Sequence, residues 1–76
     1  MTPDPDTIDS MINDLSPEQF SILCWYACGK SDDQIIAIMN LDEDLLQNEA
    51  IEIQNVFGVS GIDEAVKLYN IWIDDY

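Results

Sequence analysis

A chain of 76 residues carries sixteen acidic side chains against two lysines, with no arginine and no histidine, giving a formal net charge of −14 and a pI near 4.1. That balance excludes unaided binding to nucleic-acid phosphates or to an anionic membrane surface, because both need Lys or Arg to displace counterions. At 47% hydrophobic and 9% aromatic residues, the composition is that of a folded domain rather than an acidic tail.

Residues 1–7 are rich in Pro and Asp and lack periodicity, which predicts a flexible acidic leader, with a single domain over 8–76. Ile8, Met11, Ile12 and Leu15 follow at spacings of three, four and three, a pattern for an extra short N-terminal amphipathic helical turn or helix lying across a hydrophobic groove. Ser16, Pro17 and Gln19 then mark a helix start: a hydroxyl cap, a proline whose missing N–H costs nothing at the first helical position, and a Gln placed to close a capping box. The helix is predicted over 17–28 and ends at Gly29, with Phe20, Leu23 and Ala27 as its buried stripe and Ile22 and Tyr26 widening it.

A second start follows at once. Ser31 stands three residues before Gln34, and Asp32 and Asp33 occupy the first turn, where acids suit the positive end of the helix dipole. This helix, 32–39, turns Ile35, Ile36 and Met39 inward and stops near Asn40. Asp42 caps a third helix over 43–57, in which Leu46, Ala50, Ile53 and Phe57 recur at four, three and four residues as one buried face. Gly58 ends it. The last helix, 62–73, follows Ser60 and Gly61 and places Ile62, Ala65, Val66, Tyr69 and either Trp72 or Ile73 inside. Four short helices with no credible strand predict an all-α domain.

The length permits one domain, which buries only roughly 60% of the surface its unfolded form exposes. Cys24 and Cys28 would enclose a single helical turn if oxidised, so they read as reduced thiols, small hydrophobes of a cytoplasmic protein. Without histidine or a second thiol pair, zinc is not expected, and no other metal or cofactor is implied; the acids at 32–33 and 42–44 read as caps and solvated first turns, with spacing that fits no calcium loop. The first eleven residues contain no basic region and no apolar run, so no secretory signal is expected, and no apolar stretch nears the ~20 residues of a membrane span. Asp74 and Asp75 read as a frayed end, and Lys30 and Lys67 as local charge relief.

Helices 32–39 and 43–57 are separated by Asn40, Leu41 and Asp42 only, with an apolar residue at the centre of the turn, which is helix-turn-helix spacing. From Leu15 to Val59 the chain reads LSPEQFSILCWYACGKSDDQIIAIMNLDEDLLQNEAIEIQNVFGV. This segment resembles, without a gap, the DNA-binding domain of LuxR/GerE-type transcription regulators. Leu15, Ser16, Pro17, Ile22, Leu23, Gly29, Ser31, Ile35, Met39, Leu41, Ile53, Phe57, Gly58 and Val59 follow the family pattern, and Ala65-Val66 suit its last helix. The resemblance implies a small four-helix LuxR/GerE-like helix-turn-helix domain. The departures fall at the functional positions. Where that family carries Thr, Val, Lys and His along its recognition helix, this chain has Leu45, Leu46, Gln47 and Glu49; Asn55 and Val56 replace basic residues near the helix end, and Gln19 replaces a Glu. Glu43, Asp44, Glu49 and Glu52 lie on or beside the helix that would meet DNA, so direct DNA binding is not expected.

Trp25, Ile38, Leu45, Ile51 and Val56 fall partly off the core stripes and, ringed by carboxylates, have the make-up of a protein interface with an apolar centre and a charged rim. The structural alternative is that Trp25 covers the end of the core and Ile38 packs under the leader. Tyr69, Trp72, Ile73 and Tyr76 likewise either close the core or pair two copies through their last helices. Enzyme activity is the weakest class, since there is no histidine, activated nucleophile pair or phosphate loop. The leading expectation is a non-enzymatic antiactivator whose acidic face, or last helix, binds a basic protein partner such as a LuxR-type regulator. A general DNA mimic, or an adaptor unconnected with transcription, are the alternatives.

Overall fold

The computed structural model describes residues 4–74, which form five α-helices and, among those residues, no strand. Helix α1 spans Pro5–Asn13, α2 Pro17–Ala27, α3 Asp32–Met39, α4 Glu43–Phe57 and α5 Ile62–Asp74. The turn or helix expected from Ile8 is a helix, and the expected leader is corrected at residues 4–7, where that helix begins. Asp4 caps α1 by accepting a hydrogen bond from the Thr7 N–H at 2.9 Å, and Pro5 takes the first helical position, so residues read as leader form a cap and an opening turn. Ile8 and Ile12 are buried by it. Met1 to Pro3, and Asp75 and Tyr76 at the other end, lie outside the described residues, and with them the reading of Tyr76 as a core-closing or pairing residue and of Asp75 as frayed.

The remaining helix starts are set by side chains. Ser16 and Gln19 close a capping box at α2, Ser31 and Gln34 close another at α3, and Asp42 accepts from the Leu45 N–H at 2.7 Å at α4. Leu15, just before the Ser16 cap, and Phe20, in the following turn, border the same cleft, the placement of a hydrophobic staple.

The helix ends are set by backbone. At the end of α2 the Lys30 N–H donates to the Trp25 carbonyl and the Gly29 N–H to the Tyr26 carbonyl, the Schellman pattern. The same pairing recurs at α4, where Val59 donates to Gln54 and Gly58 to Asn55. At α3 it is Asn40 that adopts the left-handed conformation, with φ 56° and ψ 49°, and the Leu41 N–H closes on the Ile36 carbonyl at 3.1 Å. Asn tolerates this region better than most residues with a Cβ. Leu41 then packs against the core, and the three-residue connection delivers Asp42 to its capping position.

Helices α2, α4 and α5 contact one another; α1 lies across α5 and α4, and α3 rests on α4 and α2. The core consists of Ile8, Ile22, Leu23, Ile35, Leu46, Ile53 and Ala65 with Ile12, Leu15 and Phe57 around them. Leu46, Ala50, Ile53 and Phe57 are buried as the spacing predicts. On α5 the choice between Trp72 and Ile73 falls to Trp72, which packs on the core, while Ile73 is exposed. On α2, Ile22 and Leu23 are the fully buried pair and Phe20, Tyr26 and Ala27 are only half-buried, because α5 and α4 cover different sides of this helix. The Cα radius of gyration, 11.9 Å, is near the ~11 Å of a well-packed chain of this length.

Ile53 is fully buried and Ile51, two residues away, is 53% exposed. Ile53→Ala should therefore cost about 2–5 kcal/mol, whereas Ile51→Ala should stay within about 0.5 kcal/mol. Urea unfolding followed by circular dichroism measures both.

Candidate functional site

The outer face of α4 follows from its inner one. At 100° per residue, burying Leu46, Ala50, Ile53 and Phe57 turns Asp44, Leu45, Gln47, Asn48, Ile51, Glu52 and Asn55 to solvent, and all seven are exposed. No cation is among them. Glu43 is also exposed, while Glu49 and Val56 are half-buried at the margin of the inner face. Leu45 is 39% and Ile51 53% exposed, and Ile38, at the end of α3, is 47% exposed.

The five apolar residues expected to lie off the core divide into two groups. Ile38, Leu45 and Ile51 are exposed; Trp25 and Val56 are half-buried and pack against the core, so Trp25 covers the core as the alternative reading had it. Leu45 and Ile51 do not form one stripe, since six residues separate them by about 120° around the helix. Leu45 shares its side with Glu49, Glu52 and Val56. Ile51 shares its side with Gln47 and Gln54, and these three with Tyr26, Asp32, Ala50 and Ile62 line a cleft of about 290 Å³.

Several carboxylates are engaged within the molecule. Gln19 is the buried polar residue of the core, and its amide is used at both ends: Oε1 accepts from the Ser16 N–H at 3.0 Å and Nε2 donates to Glu52 Oε2 on α4. The Tyr26 hydroxyl donates to Asp32 Oδ1 at 2.7 Å, and Trp72 Nε1 donates to Asp9 Oδ1 at 3.1 Å, joining α5 to α1. Among the described residues every buried side-chain N or O atom has a hydrogen-bond partner.

Tyr69 and Trp72, the candidates for pairing through the last helix, form an aromatic group with Phe20 of α2. Ring centroids are 6.1 Å apart for Phe20–Tyr69, 6.4 Å for Phe20–Trp72 and 5.9 Å for Tyr69–Trp72. The first two are edge-on, a geometry that brings the positive ring edge to the negative face. The Tyr69 hydroxyl also lies 3.2 Å from Cys24 Sγ. Cys24 is half-buried, as expected of a small hydrophobe, but Cys28 is exposed, because it caps the end of α2 beyond the covered turns. Phe20, Ser21, Cys24, Trp25 and Cys28 line a second, mainly apolar cleft of about 330 Å³ along α2.

The capping-box bond of Gln19 follows from the sequence, but its bond to Glu52 and the pairings of Tyr26, Cys24 and Trp72 do not. Three of the four join residues 33 to 63 positions apart. The single local signal was Tyr26 standing six residues before Asp32 across a glycine turn.

Burial, and then the bond to Cys24, push the Tyr69 phenol up to about 12; burial and the Asp32 carboxylate raise Tyr26 as well. Both stay protonated in the folded state after the unfolded chain ionises near pH 10, so the stability they contribute is full below pH 10 and is lost as pH rises toward 12. Tyr69→Phe should flatten the fall in melting temperature between about pH 9.5 and 11.5, measured by circular dichroism. At neutral pH, Gln19→Glu would keep a capping box while setting two carboxylates against each other. It should cost about 1–2 kcal/mol at pH 7 and recover most of that near pH 4, as seen in urea unfolding at both pH values.

Among the described residues no helix is long and apolar enough to cross a membrane. Comparison of the chain with protein-family models, with curated proteins and with solved structures finds no match. The described residues form a small all-α domain of five helices whose α3–turn–α4 unit presents an acidic and apolar outer face.

Proposed function

We propose that this protein is a non-enzymatic regulatory module that binds a transcription factor, of LuxR type, and keeps it from its DNA. The observation that carries the reading is the division of α4. Its inner positions Leu46, Ala50, Ile53 and Phe57 are buried, while its outer face bears Asp44, Glu52, Leu45 and Ile51 without a single cation. In a DNA-binding helix-turn-helix domain that outer face would meet phosphates and base edges, and here carboxylates would repel them. The same face suits a basic protein surface: charge steers the encounter and the apolar side chains supply area to bury. The sequence resemblance of Leu15–Val59 to LuxR/GerE-type domains supplies the partner, since a regulator of that family presents a basic recognition helix.

Of the two routes to such a partner, the acidic face is favoured over pairing through α5. Tyr69 and Trp72 stack with Phe20, and Trp72 is bonded to Asp9 of α1, which lies across α5. Both side chains are half-buried within the chain, which leaves only part of each ring to a second copy. Two copies would also bring together charges of −14 each.

Titration of the purified protein into labelled duplex DNA at about 0.05 M salt should give no saturable binding, and mixing with a purified LuxR-type regulator should release that regulator from its operator. The complex should weaken by about tenfold or more on raising salt to about 0.5 M, and Glu43→Gln with Asp44→Asn should weaken it several-fold at low salt. Tight, sequence-specific binding of duplex DNA by the chain alone would sink the proposal.

A further inference from the structure

The cleft beside Ile51 lies where four helices meet. Ala50 of α4 is 9% exposed and belongs to its floor; Tyr26 near the end of α2, Ile51, and Ile62 at the start of α5 line it, and Asp32 at the start of α3 brings a carboxylate to its edge. Its volume, about 290 Å³, falls just below the roughly 300–1,000 Å³ of small-molecule pockets and suits a single side chain better than a cofactor. Ile51 is the most exposed of the large apolar residues, at 53%, and stands at this cleft rather than beside Leu45.

The first turns of α3 and α5 both open here. They carry Asp32 and Asp33, and Asp63 and Glu64 respectively; the depression itself is lined by Ala50, Ile51 and Ile62 on its apolar side and by Tyr26, Asp32, Gln47 and Gln54 on its polar side. The residues that line it include no cation. A second copy of this chain is a poor occupant, because it brings another −14 charge to an already negative rim. An apolar side chain carried on a basic segment meets both requirements.

We propose that this cleft is the anchoring point for a cationic amphipathic segment of a partner protein: one aliphatic side chain seats on Ala50 between Tyr26, Ile51 and Ile62, and a Lys or Arg one helical turn away pairs with Asp32. The inference rests on the reading of the protein as a binder of basic partners, and it specifies where and how the contact is made. Asp32 already accepts the Tyr26 hydroxyl at 2.7 Å, which holds the carboxylate in place at the cleft edge. A carboxylate has a second oxygen and further lone pairs, so it can accept from an incoming cation without releasing Tyr26.

The test uses the full chain, isotopically labelled, titrated with three synthetic helical peptides: Leu with Lys, Leu with Glu, and Ser with Lys. The Leu/Lys peptide should shift the amide resonances of Tyr26, Gln47, Ile51 and Ile62, and the other two should bind at least about tenfold more weakly. Ile51→Ser should weaken the Leu/Lys peptide by about tenfold; since Ile51 is exposed, an unchanged circular dichroism melt will accompany it. Asp32→Asn, which keeps an acceptor for Tyr26, should lower the salt dependence of binding with smaller loss of affinity at high salt. Resonance shifts centred on Phe20, Trp25 and Cys28, or full affinity in Ile51→Ser, would overturn the proposal. Capture of a LuxR-type regulator by Ile51→Ser at undiminished affinity removes the cleft and leaves the antiactivator reading standing. Occupation of the cleft by the Leu/Lys peptide without any effect on regulator–DNA complexes does the reverse.

Discussion

Helix α5 lies against α1, α2 and α4 at once, and burying its apolar sides among those three is the contact on which the rest of the structure depends. Ala65 is its one fully buried residue, a side chain small enough to let neighbouring helices close around it. Ile62, Val66, Leu68, Tyr69, Ile71 and Trp72 surround that point half-buried, so the helix is apolar on most of its circumference, as one lodged among three others must be. The aromatic group of Phe20, Tyr69 and Trp72 ties α5 to α2, and the bond from Trp72 to Asp9 ties it to α1. Helix α3 stands outside this arrangement and is held by α4 and α2. The outer side of α4 is therefore carried on a helix that α5 holds directly, whereas α3 is held through α4 and α2.

The acidity of the chain has two physical origins that the bare charge count merges. Every helix has an acid in its first turn: Asp6, Glu18, Asp32 and Asp33, Glu43 and Asp44, Asp63 and Glu64. There the carboxylate is stabilised by the positive end of the helix dipole and repels less than it would elsewhere. Among the described residues no helix has a basic residue in its last turn, and α2, α3 and α4 are closed instead by backbone bonds at Gly29, Asn40 and Gly58. Much of the acid content is thus compatible with, and useful to, the folded state. Of the remaining acids, Asp4 and Asp42 cap α1 and α4, and Asp9 and Glu52 accept side-chain bonds from Trp72 and Gln19.

Local signals carried far in the sequence. The capping boxes at Ser16 and Ser31, the Asp42 cap, the closures at Gly29 and Asn40 and the four-three-four spacing of α4 are all properties of residues within one or two turns of each other, and each is found as read. The spacing from Ile8 shows the body of α1 but not its start, because Pro and Asp in alternation suggest a loop, although Asp followed by Pro is also a cap followed by a first helical residue. The candidate site was legible in part. The acids and the exposure of Ile38, Leu45 and Ile51 could be read from periodicity, whereas the separation of Leu45 from Ile51, and the cleft that Ile51 shares with Tyr26, Asp32 and Ile62, depend on how four helices meet. Nor did sequence show that Tyr69 and Trp72 are occupied within the chain, since their partners Cys24 and Asp9 lie 45 and 63 residues away.

The bond between Gln19 and Glu52 joins a donor that is also half of a capping box to an acceptor on the outer side of α4. Neither position is at liberty to change alone. A Glu at 19 tolerates a Lys, Arg or Gln at 52 but not the Glu found here, and a basic residue at 52 in turn suits a Glu at 19 better than the Gln found here. The two positions should covary among sequences that share this fold, passing between an amide-and-acid pair and an acid-and-base pair. Because position 52 lies on the outer side of α4, that exchange would reverse the sign of the charge at this one position, beside Glu43, Asp44 and Glu49, while the packing beneath it stays as it is.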